Sequence, residues 1–496
     1  MNITKISLAL LLISFFPSTQ ADVIDHFNQI KNDPNALYSF FKTMPKGGEL
    51  HYHLAGGAYP ETMLLLASQG DYCLNKTTFV ISKNAQNCDG IQSKEIMNQP
   101  EFYSQVIKSW SMKDFIPGKE SGHDHFFNGF GKYIPIVFDY RVELLAEIIQ
   151  RAAQQQEQYL EILDIPDNGQ SIKFSELIKN VPSYTEKRQL LLANKDFQEN
   201  ITNAVNESDR ITKQTQQYLG CDIKPQSAPC KVKIKFLYYA LREQPLDDVF
   251  TQALTAFEAV ARSKGNLVGV NLVQAEDGII SLRDYRKQMQ IFKYLHQAYP
   301  NVPISLHAGE LASEAVVPAE LSYHIHDALF TGQAQRIGHG ADIGFENNVE
   351  DILRYMAEQS IPVEINLTSN KKILNLFGHA HPINYYLSHH VPVVLSTDDE
   401  GVLRTDLTHQ YVEAVIKHNV DYPTLKQINR NALTYAFLPG KSIWANASKA
   451  TLVEECRDLN SERCKEFIQN SEKAALQWDL EQKLISFEKK YTNEAS

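Results

Sequence analysis

The segment GELHYHLAG, from Gly48 to Gly56, is the first of eight short β-rich segments that decide the fold. The other seven are YLEILDI (159–165), KVKIKFLYYA (231–240), NLVGVNLVQ (266–274), PISLHAGE (303–310), RIGHGADI (336–343), PVEINLTSN (362–370) and PVVLSTDDEG (392–401). Amphipathic stretches such as LDDVFTQALTAFEAVARSK (246–264) separate them, with apolar residues three and four positions apart. This alternation predicts an α/β fold, a (β/α)8 TIM barrel. The alternative is an open doubly wound sheet, in which the polar residues at the strand ends would not converge on one site.

The composition fits a globular protein with a large core. Of the 496 residues, 43% are hydrophobic and 22% are charged, as in ordinary globular chains. The formal net charge of -11 opposes binding to nucleic acids or anionic membranes, because such binding needs clustered Lys and Arg. A small uncharged or cationic ligand is expected instead.

The N-terminus has the pattern of an export signal. Lys5 precedes the apolar run ISLALLLISFF (6–16), and small residues follow up to Ala21. Residues 1–21 are therefore predicted to be a signal peptide, too short to cross a bilayer as a helix. No later segment has the apolar length of a membrane span. We expect an exported protein, periplasmic or extracellular, with no membrane association in its mature form.

Six cysteines agree with an oxidising compartment, and none has the CxxC spacing of a zinc knuckle. The simplest pairing joins sequence neighbours: Cys73 with Cys88, Cys221 with Cys230, and Cys456 with Cys464.

Four regions are expected along the chain, the third with two insertions. After the signal peptide, residues 22–43 form an N-terminal helical segment and residues 44–445 form the barrel. Two stretches, at about 73–158 and 167–230, are too long for single connections and are predicted to be insertions, the first with helices over the barrel mouth. Residues 446–496 are predicted to be a C-terminal extension of exposed helices.

Imidazoles and a carboxylate collect at the predicted carboxyl ends of the strands, which meet on one face of a barrel. His51 and His53 have the i, i+2 spacing that directs both side chains to one face of a strand. The HxH pattern alone is weak, because it occurs four times in the chain. His307 after strand five and Asp398 after strand eight complete a shell of three imidazoles and one carboxylate, which suits one Zn²⁺ with a position left for water.

Further polar residues stand beside this shell. Glu310, in HAGE, is placed to act as a general acid on what the metal activates. His339, in RIGHG, is a candidate to hold the attacking water, and Asp399 is expected to reach the substrate from the loop after strand eight. Glu364 on strand seven is a candidate hydrogen-bond partner for a ligand imidazole.

The motifs MPKGGELHYHL, HAGE, RIGHG and STDD, in this order, resemble the adenosine deaminase family of the amidohydrolase superfamily. The similarity runs from about Met44 to Gly440. The signal peptide, the MPKGG sequence and the insertion with Cys73 and Cys88 resemble the secreted branch, the adenosine deaminase-related growth factors.

The resemblance implies a zinc-dependent hydrolytic deaminase that converts adenosine or 2'-deoxyadenosine to inosine or deoxyinosine and ammonia. The partner is then a small purine nucleoside, and the protein is expected to be a monomer or homodimer. The four strand-end ligands would bind one zinc ion per chain. Glu310 would protonate the purine N1, His339 would steady the nucleophile, and Asp399 would accept a hydrogen bond from the five-membered ring.

Three positions differ from the family pattern. Ala55 stands where the family usually has an Asp that helps bind the ribose. Gln274 stands where a Gly commonly approaches the purine N3, so its backbone N–H is the expected contact. Glu400 replaces the Pro that usually follows the two aspartates. These differences leave open a different 6-aminopurine, such as free adenine.

Two other functions compete. A binuclear hydrolase of the same superfamily typically needs a bridging Lys on strand four, and NLVGVNLVQ has none. A secreted signalling or binding protein with little turnover is the second alternative, although a binder has no need of a general acid beside a metal.

Overall fold

Eight parallel strands form a barrel at the predicted positions. They are β1 (Glu49–His53), β2 (Tyr159–Asp164), β3 (Lys233–Leu241), β4 (Leu267–Val273), β5 (Ser305–Ala308), β6 (Arg336–His339), β7 (Val363–Ile365) and β8 (Val393–Leu395). Strands β1 to β4 pair in chain order, and so do β5 to β8. Parallel bridges between Val270 and Ile304 and between Tyr52 and Asp398 join the two halves. The predicted (β/α)8 barrel is confirmed in this computed structural model, which describes residues 18–83 and 87–492.

The strands are apolar because both of their faces are covered. Every residue of β2 and β4 is buried, as expected for a parallel sheet packed between an interior and outer helices. Helix Leu246–Arg262 packs against β3 and β4 and is buried along most of its length. The other helices that follow strands are Ile279–Ala298, His324–Phe330, Val349–Gln359, Leu367–Ile373, Ile383–Ser388, Glu400–Leu403, Leu407–His418 and Tyr422–Thr434.

The long connection after β1 contains a small sheet and several helices. Strands Tyr72–Leu74, Ile81–Lys83 and Ile91–Gln92 pair antiparallel. The helices are Leu54–Gly57, Pro60–Gln69, Ser93–Ile96, Pro100–Ser109, Gly122–Asp139 and Arg141–Gln154. Helix Gly122–Asp139 contacts helix Leu54–Gly57, which directly follows the two histidines of β1. The insertion therefore lies over the carboxyl end of β1.

The connection after β2 is helical. It contains the 3₁₀ helix Gln170–Ile178 and the helices Tyr184–Ala193, Lys195–Tyr218 and Ala228–Lys231. Further 3₁₀ turns cover Glu320–Ser322, Ile343–Phe345, Gly378–Ala380 and Glu454–Cys456.

The C-terminal extension is helical but less exposed than predicted. A short antiparallel pair, Trp444–Asn446 with Thr451–Leu452, precedes helices Glu462–Gln469 and Glu472–Thr492. The last helix buries Leu480, Leu484 and Phe487 and packs against helices Ser18–Ile30 and Tyr422–Thr434. The expectation of exposed helices was wrong for this one, because its apolar residues recur at three and four positions and are buried where the helix packs against its two neighbours.

Three disulfides join Cys73 with Cys88, Cys221 with Cys230, and Cys456 with Cys464, which confirms the predicted pairing. The N-terminal region contains helices Ser18–Ile30 and Pro34–Thr43. Most of the predicted signal peptide, residues 1–17, lies outside the described residues. Within the described ranges, no helix has the length and apolar character needed to cross a membrane.

Candidate active site and metal centre

Four predicted ligands meet at the carboxyl end of the barrel. One ligand atom from each of His51, His53, His307 and Asp398 lies within 4.8 Å of the others. His53 Nε2 is 3.2 Å from His307 Nε2 and 3.4 Å from Asp398 Oδ1, and His51 Nε2 is 3.5 Å from the same carboxylate oxygen. All but His53 are fully buried, and only 12% of the His53 side chain is exposed. The four side chains thus converge on one small volume.

Neighbouring side chains direct the imidazoles into this cluster. His51 Nδ1 donates a hydrogen bond to Glu364 Oε2 at 2.8 Å, and His307 Nδ1 donates to Asn271 Oδ1 at 2.8 Å. These bonds leave the Nε2 lone pairs facing the cluster. Among the described residues, the buried Nε2 of His51 has no hydrogen-bond partner. A buried lone pair with no donor, beside two further imidazoles and a carboxylate, fits a divalent cation.

The loop after β8 has an unusual backbone that presents both aspartates. β8 ends at Leu395, and Asp398 follows with a φ of 66°, in the left-handed region. Its Oδ2 accepts a hydrogen bond from Ser369 Oγ at 2.7 Å, and its backbone bonds to both histidines of β1. Strained backbone of this kind is frequent at functional sites. Because the strand has ended, Asp398 and Asp399 both line the same cavity.

Glu310 is buried in a fixed loop beside the cluster. Its backbone N–H and that of Gly309 donate to the carboxylate of Glu276 at 2.9 and 3.0 Å, and Glu276 also accepts from His324 Nδ1 at 2.6 Å. Burial and the negative charges of Asp398 and Glu276 raise the pKa of the Glu310 carboxyl well above its usual value. The side chain is therefore suited to carry a proton near neutral pH.

His339 completes the reactive group. Its Nε2 lies 3.7 Å from Glu310 Oε1 and 3.8 Å from Asp398 Oδ2, and its φ is 69°. Among the described residues this buried nitrogen has no hydrogen-bond partner. It therefore faces the space between the predicted general acid and the metal ligands, where a reacting water would lie.

Asp399 also presents an unpartnered oxygen. Its Oδ1 is buried and, within the described residues, lacks a hydrogen-bond partner. Burial and the charge of Asp398 raise the pKa of the Asp399 carboxyl. A Cβ at Gly56 would overlap this carboxylate, so the glycine leaves the space that Asp399 occupies.

The cavity that contains these groups has a volume of about 390 Å³, within the range of small-molecule sites. Ala55 and Gln274 line it together with Tyr239 and the reactive residues. Gln274 has a φ of 85°, and its Oε1 accepts the backbone N–H of Glu243 at 3.0 Å, so its side chain is held by the protein.

Glu400, the third departure from the family pattern, lies elsewhere. It is not among the residues that line the cavity. Its buried carboxylate accepts a hydrogen bond from the Tyr52 hydroxyl at 2.6 Å and from the Gln155 amide at 3.1 Å, and it forms an ion pair with Arg151 at 3.1 Å. The expectation that Glu400 bears on substrate choice is therefore not supported by its position. Its carboxylate neutralises Arg151 beneath the site.

Replacing Glu400 with Gln is expected to lower the free energy of unfolding by about 3 kcal/mol, because Arg151 loses its buried counter-ion. The matched control is Glu147→Gln, which removes the second, more exposed carboxylate on Arg151 and should cost less than about 1 kcal/mol. Urea unfolding measures both. Equal losses for the two variants, or altered substrate selectivity in Glu400→Gln, would contradict this assignment.

Several supporting residues were not predicted. Asn271, Ser369 and Glu276 each hold a reactive residue through one of the bonds above. Arg336 lies beneath the cluster, 2.6 Å from Glu364 and 2.7 Å from Glu161. Asn271 was visible in the sequence as the single polar residue of the apolar run LVGVNLV (267–273), whereas the roles of the others depend on contacts between distant segments.

Replacing Glu364 with Gln is expected to weaken metal binding about 10- to 100-fold, since the hydrogen bond that orients His51 loses its charge. Glu161→Gln is the matched control, because it removes the other carboxylate from Arg336 without touching His51. Competition with a chromophoric chelator gives both dissociation constants. Equal weakening in the two variants would show that the effect comes through Arg336 instead.

The remaining three HxH pairs lie outside this cluster of four ligands. His123 and His125 are in helix Gly122–Asp139, His324 and His326 are in helix His324–Phe330, and His379 is in a 3₁₀ turn. His324 stacks on Tyr285 and supports Glu276.

Comparison with known proteins places this site in a family. The adenosine deaminase family model matches residues 119–455. The adenosine deaminases of Klebsiella pneumoniae and Aliivibrio fischeri are 33% and 34% identical over 154 and 150 residues, and each alignment covers 30% of this chain and 40% of the relative. The matched segment thus spans about two fifths of the length of these relatives.

Solved structures share the fold at lower identity. An adenine deaminase from Arthrobacter aurescens has a TM-score of 0.53 at 15% identity, covering 86% of this chain and 99% of that chain. An N6-methyl-AMP deaminase from Arabidopsis thaliana has a TM-score of 0.51 at 17% sequence identity, covering 81% of this chain and 94% of that chain. An amidohydrolase from Burkholderia ambifaria with bound Zn has a TM-score of 0.51 at 14% sequence identity, covering 87% of this chain and 93% of that chain. The family model matches well over half of the chain, which therefore belongs to the adenosine deaminase family, a family of metal-dependent hydrolytic deaminases.

Proposed function

We propose that this protein is an exported, zinc-dependent deaminase that converts adenosine or 2'-deoxyadenosine to inosine or deoxyinosine and ammonia. The proposal rests on one observation: the cluster of four candidate metal ligands lies beside Glu310, a buried carboxyl with a raised pKa, at the same cavity. A metal-binding protein without turnover has no use for such a proton donor.

His51, His53, His307 and Asp398 would hold one Zn²⁺, since three imidazoles and one carboxylate are ligands that zinc prefers. When bound, the ion would lower the pKa of a coordinated water to about 7 and so supply a nucleophile at neutral pH. The zinc reported in the Burkholderia ambifaria amidohydrolase supports this choice of metal.

The protein's own residues account for the proton transfers. Glu310 donates a proton to the purine N1 as the water oxygen adds to C6, which keeps negative charge from accumulating on the ring. His339 Nε2 fixes the direction of attack and takes the proton that the water loses on addition. That proton restores Glu310, whose Oε1 is 3.7 Å from His339 Nε2, at the end of the cycle. The C6–N6 bond then breaks, and the amino group leaves as ammonia with a proton from the added hydroxyl, leaving a carbonyl at C6.

Two further residues orient the base. Asp399, whose buried carboxyl has a raised pKa, would donate a hydrogen bond in its protonated form to N7 of the five-membered ring. The acceptance expected from the sequence does not apply, because this ring of a nucleoside carries no N–H. Gln274 follows β4 and lines the cavity, and its backbone N–H would reach N3. Both contacts would hold C6 toward the metal ligands.

Export to the periplasm or the extracellular space is supported by the three disulfides, which persist in oxidising compartments. The N-terminal sequence, with Lys5 before the apolar run 6–16, supports export as well and is one reason to propose the secreted branch of the family.

The direct test is a panel of 6-aminopurines, namely adenosine, 2'-deoxyadenosine and adenine, incubated with the protein before and after chelation. We expect ammonia from the two nucleosides, its loss after chelation, and its return when Zn²⁺ is restored. Adenine enters the panel because Ala55 offers no polar group to a sugar. Ammonia from adenine alone would replace the proposed substrate, and none from any member would overturn deamination.

A further inference from the structure

The cavity at the barrel mouth has a reactive side and an apolar side. The reactive side is formed by three of the metal ligands (His53, His307 and Asp398) together with Glu310, His339 and Asp399. The apolar side is formed by one face of helix Gly122–Asp139, which contributes Phe126, Phe127, Phe130, Ile134 and Phe138. A ligand that fills the cavity therefore contacts both carboxyl and imidazole groups and a set of aromatic rings.

The cavity wall offers no positive charge to a phosphate. Among the described residues that line it there is no Lys or Arg, whereas Glu243, Glu310, Asp398 and Asp399 supply carboxylates. A phosphate ester would lose its hydration there without gaining a cation. The lining therefore disfavours a phosphorylated substrate.

Two of the polar side chains that line the rest of the cavity, Glu243 and Gln274, are already used within the protein, whereas Asn168 and Tyr239 also line it. The Glu243 carboxylate accepts the backbone N–H groups of Ile280 and Ser281, at 2.9 and 2.8 Å, at the start of helix Ile279–Ala298. The Gln274 side chain caps the Glu243 N–H at 3.0 Å. Ala55 adds only a methyl group. This part of the cavity consequently offers few hydrogen bonds to a sugar hydroxyl.

The chemistry of the purine ring decides which part of the substrate meets the apolar side. C6 must face Glu310 and the metal ligands, and N9, which carries the sugar, is on the opposite side of the bicyclic ring. The 5' position is the part of the sugar that extends furthest from the base. A buried hydroxyl without a partner is costly, whereas an alkyl or thioether group gains by burial and by contact of its sulfur with aromatic rings.

Building on the proposed deaminase function, we propose that the preferred substrates are uncharged 6-aminopurine nucleosides whose 5'-hydroxyl is replaced by hydrogen or by an apolar alkylthio group. Nucleosides with a 5'-phosphate are excluded. Ala55 and the aromatic face of helix Gly122–Asp139 are the specificity-determining elements.

The test compares kcat/KM for adenosine, 5'-deoxyadenosine, 5'-deoxy-5'-methylthioadenosine and adenosine 5'-monophosphate with the full-length zinc-loaded protein. We expect the methylthio nucleoside to exceed adenosine about 10-fold, and the monophosphate to fall about 100-fold or more below adenosine. The selectivity alone would be overturned if kcat/KM for adenosine were higher than for both 5'-deoxyadenosine and the methylthio nucleoside, or as low as for the monophosphate. Ammonia from none of the four would overturn deamination itself and the selectivity with it.

Two variants examine the elements that carry the proposal. Ala55→Asp places a hydrogen-bond acceptor and a charge on the cavity wall, and Phe130→Ala removes an aromatic ring from the opposite side. Each should lower the ratio of kcat/KM for the methylthio nucleoside to that for adenosine about 10-fold. This ratio is measured within one preparation, so it does not depend on how much of the variant folds. Ala315→Asp and Phe377→Ala, outside this cavity, are the matched controls and should leave the ratio unchanged. An unchanged ratio in both Ala55→Asp and Phe130→Ala would contradict the proposal.

Discussion

Replacing Glu310 with Gln is expected to reduce kcat for deamination by about 100- to 10,000-fold while leaving the fold and the bound metal unchanged. Gln has the same shape but cannot deliver a carboxyl proton to N1. The loop should keep its position, because Glu276 binds the backbone N–H groups of Gly309 and residue 310 and not the side chain. Ammonia release measures the rate, and elemental analysis with a thermal melt measures the metal and the fold.

The control for this experiment is Glu314→Gln, the same change at an exposed position four residues later and outside the active-site cavity. It should retain full activity. Near-normal turnover by Glu310→Gln would remove Glu310 from the proton-donor role. A secreted binding function would instead be favoured if the Gln variant lost turnover but preserved every biological effect of the protein.

Replacing Asp398 with Asn is expected to abolish stoichiometric metal binding and to lower activity by at least about 1,000-fold. The substitution removes the only carboxylate from the four-residue cluster. Asn tolerates the left-handed backbone at this position, which has a φ of 66°, so the loop should still form. Elemental analysis of the purified variant and ammonia release at saturating substrate measure the two effects.

Asp406→Asn provides the matched control. Asp406 Oδ1 accepts the His409 N–H at the start of helix Leu407–His418, and Asn is an equally good residue at such a position. This variant should bind metal and turn over substrate normally. An Asp398→Asn protein that still holds one equivalent of metal and remains active would show that the metal binds elsewhere.

The barrel and its reactive residues were predictable because their positions follow from local patterns. Each strand appears as a short apolar run, and parallel strands bring their carboxyl ends to one face. His51, His53, His307 and Asp398 meet for that reason. The other HxH pairs show the limit of a motif by itself, since the same three-residue pattern in helices forms no shared site.

The supporting contacts were not predictable, because they join segments that no local pattern links. Glu276 holds the backbone of Glu310 from the loop after β4, and Arg336 ties Glu364 to Glu161 across the barrel interior. The aromatic face of helix Gly122–Asp139 was not predicted either. The first insertion was expected to contain helices, but which face of this helix lines the cavity depends on tertiary packing. Glu400 differs from the family pattern in sequence, yet its side chain lies outside the cavity.

The most direct test of the metal-dependent deaminase is a zinc titration of the metal-depleted protein. Ammonia release from adenosine is measured after each addition of Zn²⁺, with metal content determined in parallel. The arrangement of His51, His53, His307 and Asp398 predicts a linear rise in activity that levels off at one Zn²⁺ per chain. Full activity before any metal is added, or a plateau only at two equivalents, would contradict it.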